Sequence, residues 1–211
     1  VNVHGGPSSN WPNSWSGLLY LNPQTYSSDK IIFLPNPTGS TGFGNDFRKA
    51  SNGDWGGQPR LDILSFVDEI SKRPYVEGSQ KCLMGLSYGG YMTNWIRANQ
   101  KRGDKVMFNC FVTMNGIFDI RMSSYSSDIP FLFNQSMCKN NYKCRPFKAE
   151  DSANFDKFSP ELLMKNLKTE PKSPHMVVHG QNDYRLTWSE GQALFTALQL
   201  NGIESKYLFF L

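Results

Sequence analysis

Short runs of hydrophobic residues alternate along this chain with segments whose apolar positions recur at helical spacing. The predicted strands are, in chain order, Val1–Val3, Lys30–Leu34, Lys81–Leu86, Val106–Met114, His175–His179 and Lys206–Leu211. The predicted helices are Leu61–Ile70, a segment through Tyr91, Trp95 and Ile96, and Ser189–Leu200. Short, continuously apolar strands separated by helices are typical of a buried parallel sheet. We therefore predict an α/β fold, with a mostly parallel sheet flanked by helices on both faces.

The length of the chain fits a single domain. With 211 residues, 39% of them hydrophobic, the chain is long enough to bury a sizeable core and short for two domains. One segment, Arg121–Glu161, departs from the alternating pattern because it is rich in Ser, Asn, Phe and Lys. We predict that this excursion segment is an insertion on the surface of the same domain.

The charged residues argue against two classes of partner. Lys and Arg number 22 and Asp and Glu number 18, a net charge of +4, and the basic residues are scattered along the chain. A nucleic-acid partner would require them to gather in a stripe. The longest apolar runs, such as Tyr207–Leu211, are too short to span a bilayer. We therefore expect neither a nucleic-acid partner nor a membrane partner.

The four cysteines form two pairs with different surroundings. Cys82 and Cys110 lie in apolar, strand-like runs, where a cysteine usually serves as a small hydrophobic residue. Cys138 and Cys144 lie in a polar stretch, where the sequence is consistent with a disulfide and equally with two free thiols. A lone cysteine pair argues against zinc, which usually takes four ligands, so we expect no metal. A glycosylation tripeptide, Asn134–Ser136, slightly favours a secreted or extracellular protein, but the compartment stays open.

The segment Gly85–Gly89, with the sequence Gly-Leu-Ser-Tyr-Gly, matches a G-x-S-x-G motif between a predicted strand and a predicted helix. This is the setting of a nucleophile elbow, where a serine occupies a strained turn at the carboxyl end of the sheet. We predict that Ser87 is the nucleophile and that the backbone N–H of Tyr88 is one donor of the oxyanion hole. The elbow makes the predicted α/β fold an α/β-hydrolase fold.

Two further segments supply a second oxyanion donor and an acid. The segment His4–Pro7 follows the first predicted strand, where this fold places the second donor, and we assign that N–H to Gly6. Asp183 follows the predicted strand that ends at His179. Because this fold orders its triad as Ser, then Asp or Glu, then His, we predict that Asp183 orients the catalytic histidine.

The histidine that this order requires is not found after Asp183. The three histidines of the chain, His4, His175 and His179, all precede the acid. A serine hydroxyl is a weak nucleophile until a base accepts its proton. We therefore expect the base beyond Leu211, and we expect the 211 residues to be incomplete and inactive alone.

Five ordered segments resemble the prolyl oligopeptidase family of serine peptidases over nearly the whole chain. They are His4–Pro7, Pro35–Gly44, Asp54–Gly57, Gly85–Met92 and His179–Arg185. Within the family, the chain resembles dipeptidyl-peptidase V and acylaminoacyl-peptidase-like enzymes, and the amino-acid sequence of Pro35–Gly42 favours dipeptidyl-peptidase V. The resemblance implies a catalytic domain preceded by a β-propeller, which these residues do not contain. It also implies short peptide substrates, no cofactor, and the same roles for Ser87, Asp183, Tyr88 and Gly6.

The predicted function is hydrolysis of short peptides through an acyl-enzyme, in the manner of a dipeptidyl-peptidase. Two alternatives stay open, namely an acyl esterase of the same fold and a catalytically inactive binding domain. The sequence also leaves open whether the enzyme trims or cuts internally, and whether it forms a homo-oligomer. We expect aromatic residues of the excursion segment to contribute to the pocket for the P1 side chain, namely Phe131, Phe133 and Tyr142.

Overall fold

The helices and strands can be located in a computed structural model, which describes residues 1–14, 30–100, 107–139, 141 and 143–211. The strands are β1 (Asn2–Val3), β2 (Cys82–Leu86), β3 (Cys110–Met114), β4 (His175–Gly180) and β5 (Ser205–Phe210). The helices are α1 (Asn45–Lys49), α2 (Gln58–Ile70), α3 (Tyr88–Arg97), α4 (Ile120–Ser126), α5 (Pro130–Met137), α6 (Ala149–Asp156) and α7 (Trp188–Leu200). A 3-10 helix spans Pro160–Lys168.

The five strands are all parallel and stand in the order β1-β2-β3-β4-β5. Helices flank this sheet on both faces, which confirms the predicted fold class. Because the strands are parallel, their carboxyl ends meet at one edge. The loops that follow β2, β3 and β4 are therefore neighbours, although they are far apart in the sequence.

One predicted strand is wrong. The apolar run Lys30–Leu34 is irregular, although a backbone hydrogen bond of 2.9 Å joins Asn2 N–H to the Phe33 carbonyl. Two prolines, Pro35 and Pro37, follow the run and have no N–H to continue a ladder. The start of the fourth predicted strand is also wrong, because β3 begins at Cys110. Val106, where that strand was predicted to begin, lies outside the described residues.

Two clusters of buried hydrophobic residues attach the helices to the sheet. The first joins α2, α3 and α5 to the strands β1, β2 and β3, and it includes Ile63, Tyr91 and Phe111. The second joins α7 and the 3-10 helix to β4, and it includes Val177 and Leu194. Helix α3 is buried along its whole length, so the residue that begins it is held rigidly. Within the described residues, no helix is long and apolar enough to cross a bilayer.

The excursion segment is helical and packs against the rest of the domain. Phe133 of α5 and Phe155 of α6 are buried in the first cluster. Within the segment, the Arg121 guanidinium pairs with the Asp156 carboxylate at 2.5 Å. Asp119 caps α4, because its carboxylate accepts hydrogen bonds from the first backbone N–H groups of that helix. These contacts fix the start of α4 and join α4 to α6.

All four cysteines are paired in disulfides. The interpretation of Cys82 and Cys110 as separate hydrophobic residues is wrong, because the two form a disulfide between β2 and β3. The register of these parallel strands places them opposite each other, with their Cα atoms 4.6 Å apart. Neither apolar run shows this register by itself. Cys138 and Cys144 form the second disulfide, so the structure favours that alternative over free thiols.

A buried carboxylate ties α7 to the start of α4. Glu190 Oε2 accepts hydrogen bonds from the N–H groups of Phe118 and Asp119, at 2.8 and 2.9 Å. Its Oε1 accepts a hydrogen bond of 2.6 Å from the Ser123 hydroxyl. Burial raises the pKa of Glu190 to about 7 despite these hydrogen bonds, and the Asp119 carboxylate adds to the rise.

Replacing this carboxylate by a neutral amide, Glu190→Gln, is expected to stabilise the fold at alkaline pH. The pKa of Glu190 is raised on folding from 4.5 to about 7, so its contribution to stability is complete below pH 4.5 and is lost as pH rises through 7. An amide does not titrate. The difference in the free energy of unfolding, variant minus wild type, should therefore increase by up to about 3 kcal/mol as the pH rises from 4.5 to above 7. Urea unfolding at a series of pH values measures it, and a difference that does not vary with pH would contradict the assignment.

Candidate active site

Ser87 occupies a strained turn between β2 and α3. Its backbone has φ 61°, in the left-handed region that non-glycine residues rarely adopt. The turn is held on both sides, because Ser87 N–H donates to the Met114 carbonyl at 3.0 Å and Ser87 C=O accepts from Tyr91 N–H at 2.9 Å. This is the geometry of the predicted nucleophile elbow.

Glycines make this turn sterically feasible. A Cβ placed on Gly85 would collide with the backbone of Gly89. A Cβ placed on Gly89 would in turn collide with the carbonyl oxygen of Val3 in β1. The G-x-S-x-G spacing is therefore a packing requirement, because β1, β2 and α3 approach one another directly below Ser87.

Tyr88 is the first residue of α3, where a backbone N–H has no acceptor within the helix. Its side chain is buried and anchors this end of the helix. The phenol donates to the Trp55 carbonyl at 3.0 Å, and the two rings meet edge to face with centroids 5.3 Å apart. Burial raises the pKa of the Tyr88 phenol far above its usual value, so the hydroxyl stays protonated. The N–H of Tyr88 is thus presented beside Ser87 by a fixed helix end.

The His4–Pro7 segment crosses directly beside the nucleophile. A Cβ placed on Gly5 would lie 3.4 Å from Ser87 Cβ and 3.9 Å from Ser87 Oγ. Gly6 follows with φ 128°, a conformation that suits glycine. Gly6, Ser87 and Tyr88 border one cavity. The structure therefore brings the predicted nucleophile and both predicted oxyanion donors together.

Asp183 is held by the loop that follows β4. Its Oδ1 accepts hydrogen bonds from Arg185 N–H and Leu186 N–H, both at 2.9 Å. Its Oδ2 accepts a hydrogen bond from the side-chain amide of Asn115. Three donors thus fix the orientation of this carboxylate at the carboxyl edge of the sheet.

Asn115 is a site residue that the sequence analysis missed. It follows β3 directly and has φ 42°, and its N–H donates to the Val178 carbonyl of β4 at 2.9 Å. This backbone turns its amide toward Asp183. The available signal was its position, because a polar residue followed by Gly116 ends a buried strand at the edge where active sites form.

His175 and His179 serve the scaffold. His175 begins β4, its Nε2 lies 2.9 Å from the Thr113 hydroxyl, and burial lowers its pKa to about 3. His179 Nε2 lies 2.7 Å from the Leu186 carbonyl and 3.9 Å from an Asp183 carboxylate oxygen. Burial lowers the pKa of His179 as well. These contacts hold His179 against the loop that carries Asp183.

The cavity beside Ser87 has a volume of about 350 Å³ and walls that are partly apolar and partly polar. Apolar side chains in the lining include Trp55, Ile117, Ile129, Leu132, Phe133 and Leu186, and polar ones include Asn52, Ser136 and Arg185. Of the aromatic residues expected here, Phe133 lines the cavity, whereas Phe131 lies outside the lining and is 59% exposed. Tyr142 lies outside the described residues. The large apolar side chains in this lining favour an apolar substrate side chain.

An ion pair joins the acid loop to the excursion segment. Arg185 Nε donates to the Asp128 carboxylate at 2.6 Å, and Asp128 N–H donates to the Tyr184 carbonyl at 2.9 Å. The hydrogen bond from Arg185 lowers the pKa of Asp128. Arg185 lines the cavity beside Ser87 and also an adjacent cavity of about 520 Å³ that Asp183 borders. Arg185 therefore joins the loop that carries Asp183 to the segment between α4 and α5.

A parallel sheet with a strained serine between a central strand and the following helix defines the α/β-hydrolase class. Within that class, the profile described as the prolyl oligopeptidase family matches residues 18–211. The chain belongs to the prolyl oligopeptidase family.

Individual relatives agree with this placement. The chain is 32% identical over 215 residues to the probable dipeptidyl-peptidase 5 of Emericella nidulans, covering 99% of this chain and 27% of that protein. It is 33% identical over 212 residues to the dipeptidyl-peptidase 5 of Schizosaccharomyces pombe, covering 100% of this chain and 29% of that protein. The structure of the acylaminoacyl peptidase of Pyrococcus horikoshii matches with a TM-score of 0.82 at 28% identity. The match covers 100% of this chain and 32% of that one. The chain therefore spans less than a third of the length of these relatives.

Proposed function

We propose that this chain is the catalytic part of a serine peptidase that hydrolyses short peptides, in the manner of a dipeptidyl-peptidase. The observation that carries the proposal is the strained Ser87, which borders a partly apolar cavity together with Tyr88 and Gly6. Membership of the prolyl oligopeptidase family supports the peptidase activity. The relatives named dipeptidyl-peptidase 5 support the finer specificity.

In the proposed mechanism, Ser87 Oγ attacks the carbonyl carbon of the scissile peptide bond. The carbonyl oxygen becomes an oxyanion, which accepts hydrogen bonds from the N–H groups of Tyr88 and Gly6. The carbon–nitrogen bond then breaks, and the leaving amine takes up the proton that Ser87 released. A water molecule hydrolyses the resulting ester and regenerates the serine. Asp183 orients the base that carries the proton in both halves of the cycle.

We place that base, a histidine, outside the 211 residues. The hydrogen-bonding partners of the chain's own histidines support this, because His4 faces Ser40 and Gly5, His175 faces Thr113, and His179 faces Leu186. The chain also covers only 27% of the dipeptidyl-peptidase 5 of E. nidulans. We propose that the remaining length of the natural polypeptide contributes the histidine and a preceding β-propeller that restricts access to short peptides.

A panel of matched substrates tests this function on the natural polypeptide that contains these residues. The substrates are the p-nitroanilides of Ala-Phe, N-acetyl-Ala-Phe and Ala-Asp, together with the p-nitrophenyl ester of Ala-Phe. We expect the Ala-Phe anilide to be hydrolysed, with kcat/KM at least about tenfold above the blocked anilide and above Ala-Asp. The free amino group should be required by a dipeptidyl-peptidase. The large apolar side chains of the cavity should favour Phe over Asp, because the Arg185 guanidinium in the lining is already paired with the Asp128 carboxylate.

Each other result selects a different function. Hydrolysis of the ester alone would identify an acyl esterase. A preference for the blocked anilide would identify an acylaminoacyl peptidase. Absence of turnover on all four substrates would favour the inactive binding domain.

A further inference from the structure

A chain of buried hydrogen bonds lies behind the proposed oxyanion hole. His4 is 2% exposed and Ser40 is completely buried. His4 Nδ1 lies 2.6 Å from the Gly5 carbonyl oxygen, and His4 Nε2 lies 2.9 Å from Ser40 Oγ. Ser40 Oγ is also 2.7 Å from the Pro37 carbonyl. The Pro35–Gly44 loop thereby reaches the backbone beside Ser87 through a single imidazole ring.

The partners of the ring determine its protonation. A carbonyl oxygen only accepts hydrogen bonds, so the short contact with Gly5 requires a proton on Nδ1 of His4. Burial lowers the pKa of His4, although its hydrogen bond to Gly5 opposes the shift, so the ring is neutral at neutral pH. A neutral ring with a proton on Nδ1 has an acceptor at Nε2. The Ser40 hydroxyl donates its single proton to the Pro37 carbonyl, so the tautomer is set by the Gly5 carbonyl, and Ser40 Oγ holds the other edge of the ring by contact at 2.9 Å.

We propose that His4 is a positioning residue for the oxyanion hole and acts through the Gly5–Gly6 peptide group. The carbonyl of this group receives the His4 hydrogen bond, and the N–H at its other end is the donor that we assigned to Gly6. The peptide group is planar, so fixing the direction of the carbonyl fixes the direction of the N–H. A hydrogen bond to the carbonyl also polarises the N–H and strengthens it as a donor. The inference rests on the proposed role of Gly6.

Packing around the peptide group favours a positioning role. Gly5 lies against the nucleophile, since a Cβ there would be 3.4 Å from Ser87 Cβ. The His4 carbonyl lies against α3, since a Cβ on Gly89 would be 3.0 Å from it. The His4 and Trp11 rings meet edge to face, with centroids 6.1 Å apart. A small rotation of the ring would therefore be transmitted to the N–H that faces the substrate.

Two substitutions of His4 distinguish the contact made by Nδ1 from the contact made by Nε2. In His4→Asn the amide nitrogen is separated from Cα by the same number of bonds as Nδ1, so the donor to Gly5 is kept. In His4→Gln the amide nitrogen corresponds to Nε2, so the contact with Ser40 is kept and the donor to Gly5 is lost. We expect His4→Gln to lower kcat on the Ala-Phe anilide about tenfold, less than the loss of a whole oxyanion donor. We expect His4→Asn to stay within about threefold of wild type, and KM to change little in either variant.

The pair distinguishes positioning from simple packing, since both changes remove the ring. Equal losses of kcat in the two variants, or an unchanged kcat in His4→Gln, would overturn the inference. If neither variant folds, Ser40→Ala removes the oxygen that contacts Nε2 and leaves the ring in place. It should then lower kcat severalfold at unchanged KM, and an unchanged kcat would overturn the inference. Failure of the proposed function is seen separately, as activity that persists in Ser87→Ala.

Discussion

Replacement of the proposed nucleophile, Ser87→Ala, is expected to lower kcat on a peptide anilide by at least about 10⁴-fold. The expected loss is large because the proposed acyl-enzyme is an ester of this hydroxyl, and no covalent route remains without it. Substrate binding should change little, because alanine leaves the cavity beside the elbow intact. Steady-state kinetics on the natural polypeptide measures both quantities.

A matched serine substitution controls for damage to the fold. Ser65 lies exposed on α2, away from the carboxyl edge of the sheet, and Ser65→Ala should leave kcat and KM at their wild-type values. Activity in Ser87→Ala above one hundredth of wild type would show that another group is the nucleophile.

Replacement of the proposed acid, Asp183→Asn, is expected to lower kcat by about 10⁴-fold, because the amide no longer stabilises the charged imidazole or selects its tautomer. The structure adds a second consequence. The Asn115 amide donates to Asp183 Oδ2, so in the variant two amide donors face each other. An unsatisfied buried donor costs about 1–3 kcal/mol, and the loop that follows β4 should lose stability by a similar amount.

A second substitution separates the two consequences. In the double variant Asp183→Asn with Asn115→Asp, a carboxylate at position 115 accepts from the amide at position 183. We expect stability, followed by urea unfolding, to recover while kcat stays low, because the charge has moved away from the loop that holds the acid. Recovery of kcat together with stability would show that Asp183 serves the fold alone.

The part of the site that could be predicted from the sequence is the part fixed by local geometry. Ser87 is identified by five consecutive residues between a strand and a helix, and steric contacts of Gly85 and Gly89 account for the spacing. Asp183 is identified by the order of elements along the chain. In both cases the residue lies directly after a strand, so the backbone alone places it at the carboxyl edge.

The features that were missed depend on contacts between distant segments. The disulfide between Cys82 and Cys110 follows from the register of two strands, and neither strand's own pattern contains that register. The contact of Asn115 with Asp183 likewise joins the ends of two strands that are neighbours only in the sheet. The apolar run Lys30–Leu34 was wrongly predicted as a strand. A run of hydrophobic residues forms a strand only where a neighbouring segment continues to pair with its backbone by hydrogen bonds.

The position of a covalent adduct tests the central claim most directly. A fluorophosphonate reacts with a serine only where that serine is activated, and mass spectrometry of the digested natural polypeptide identifies the modified residue. The account predicts a single adduct, on Ser87, whose formation abolishes hydrolysis of the Ala-Phe anilide. An adduct on a different serine, or an unmodified Ser87 in a preparation that turns over this anilide, would contradict it.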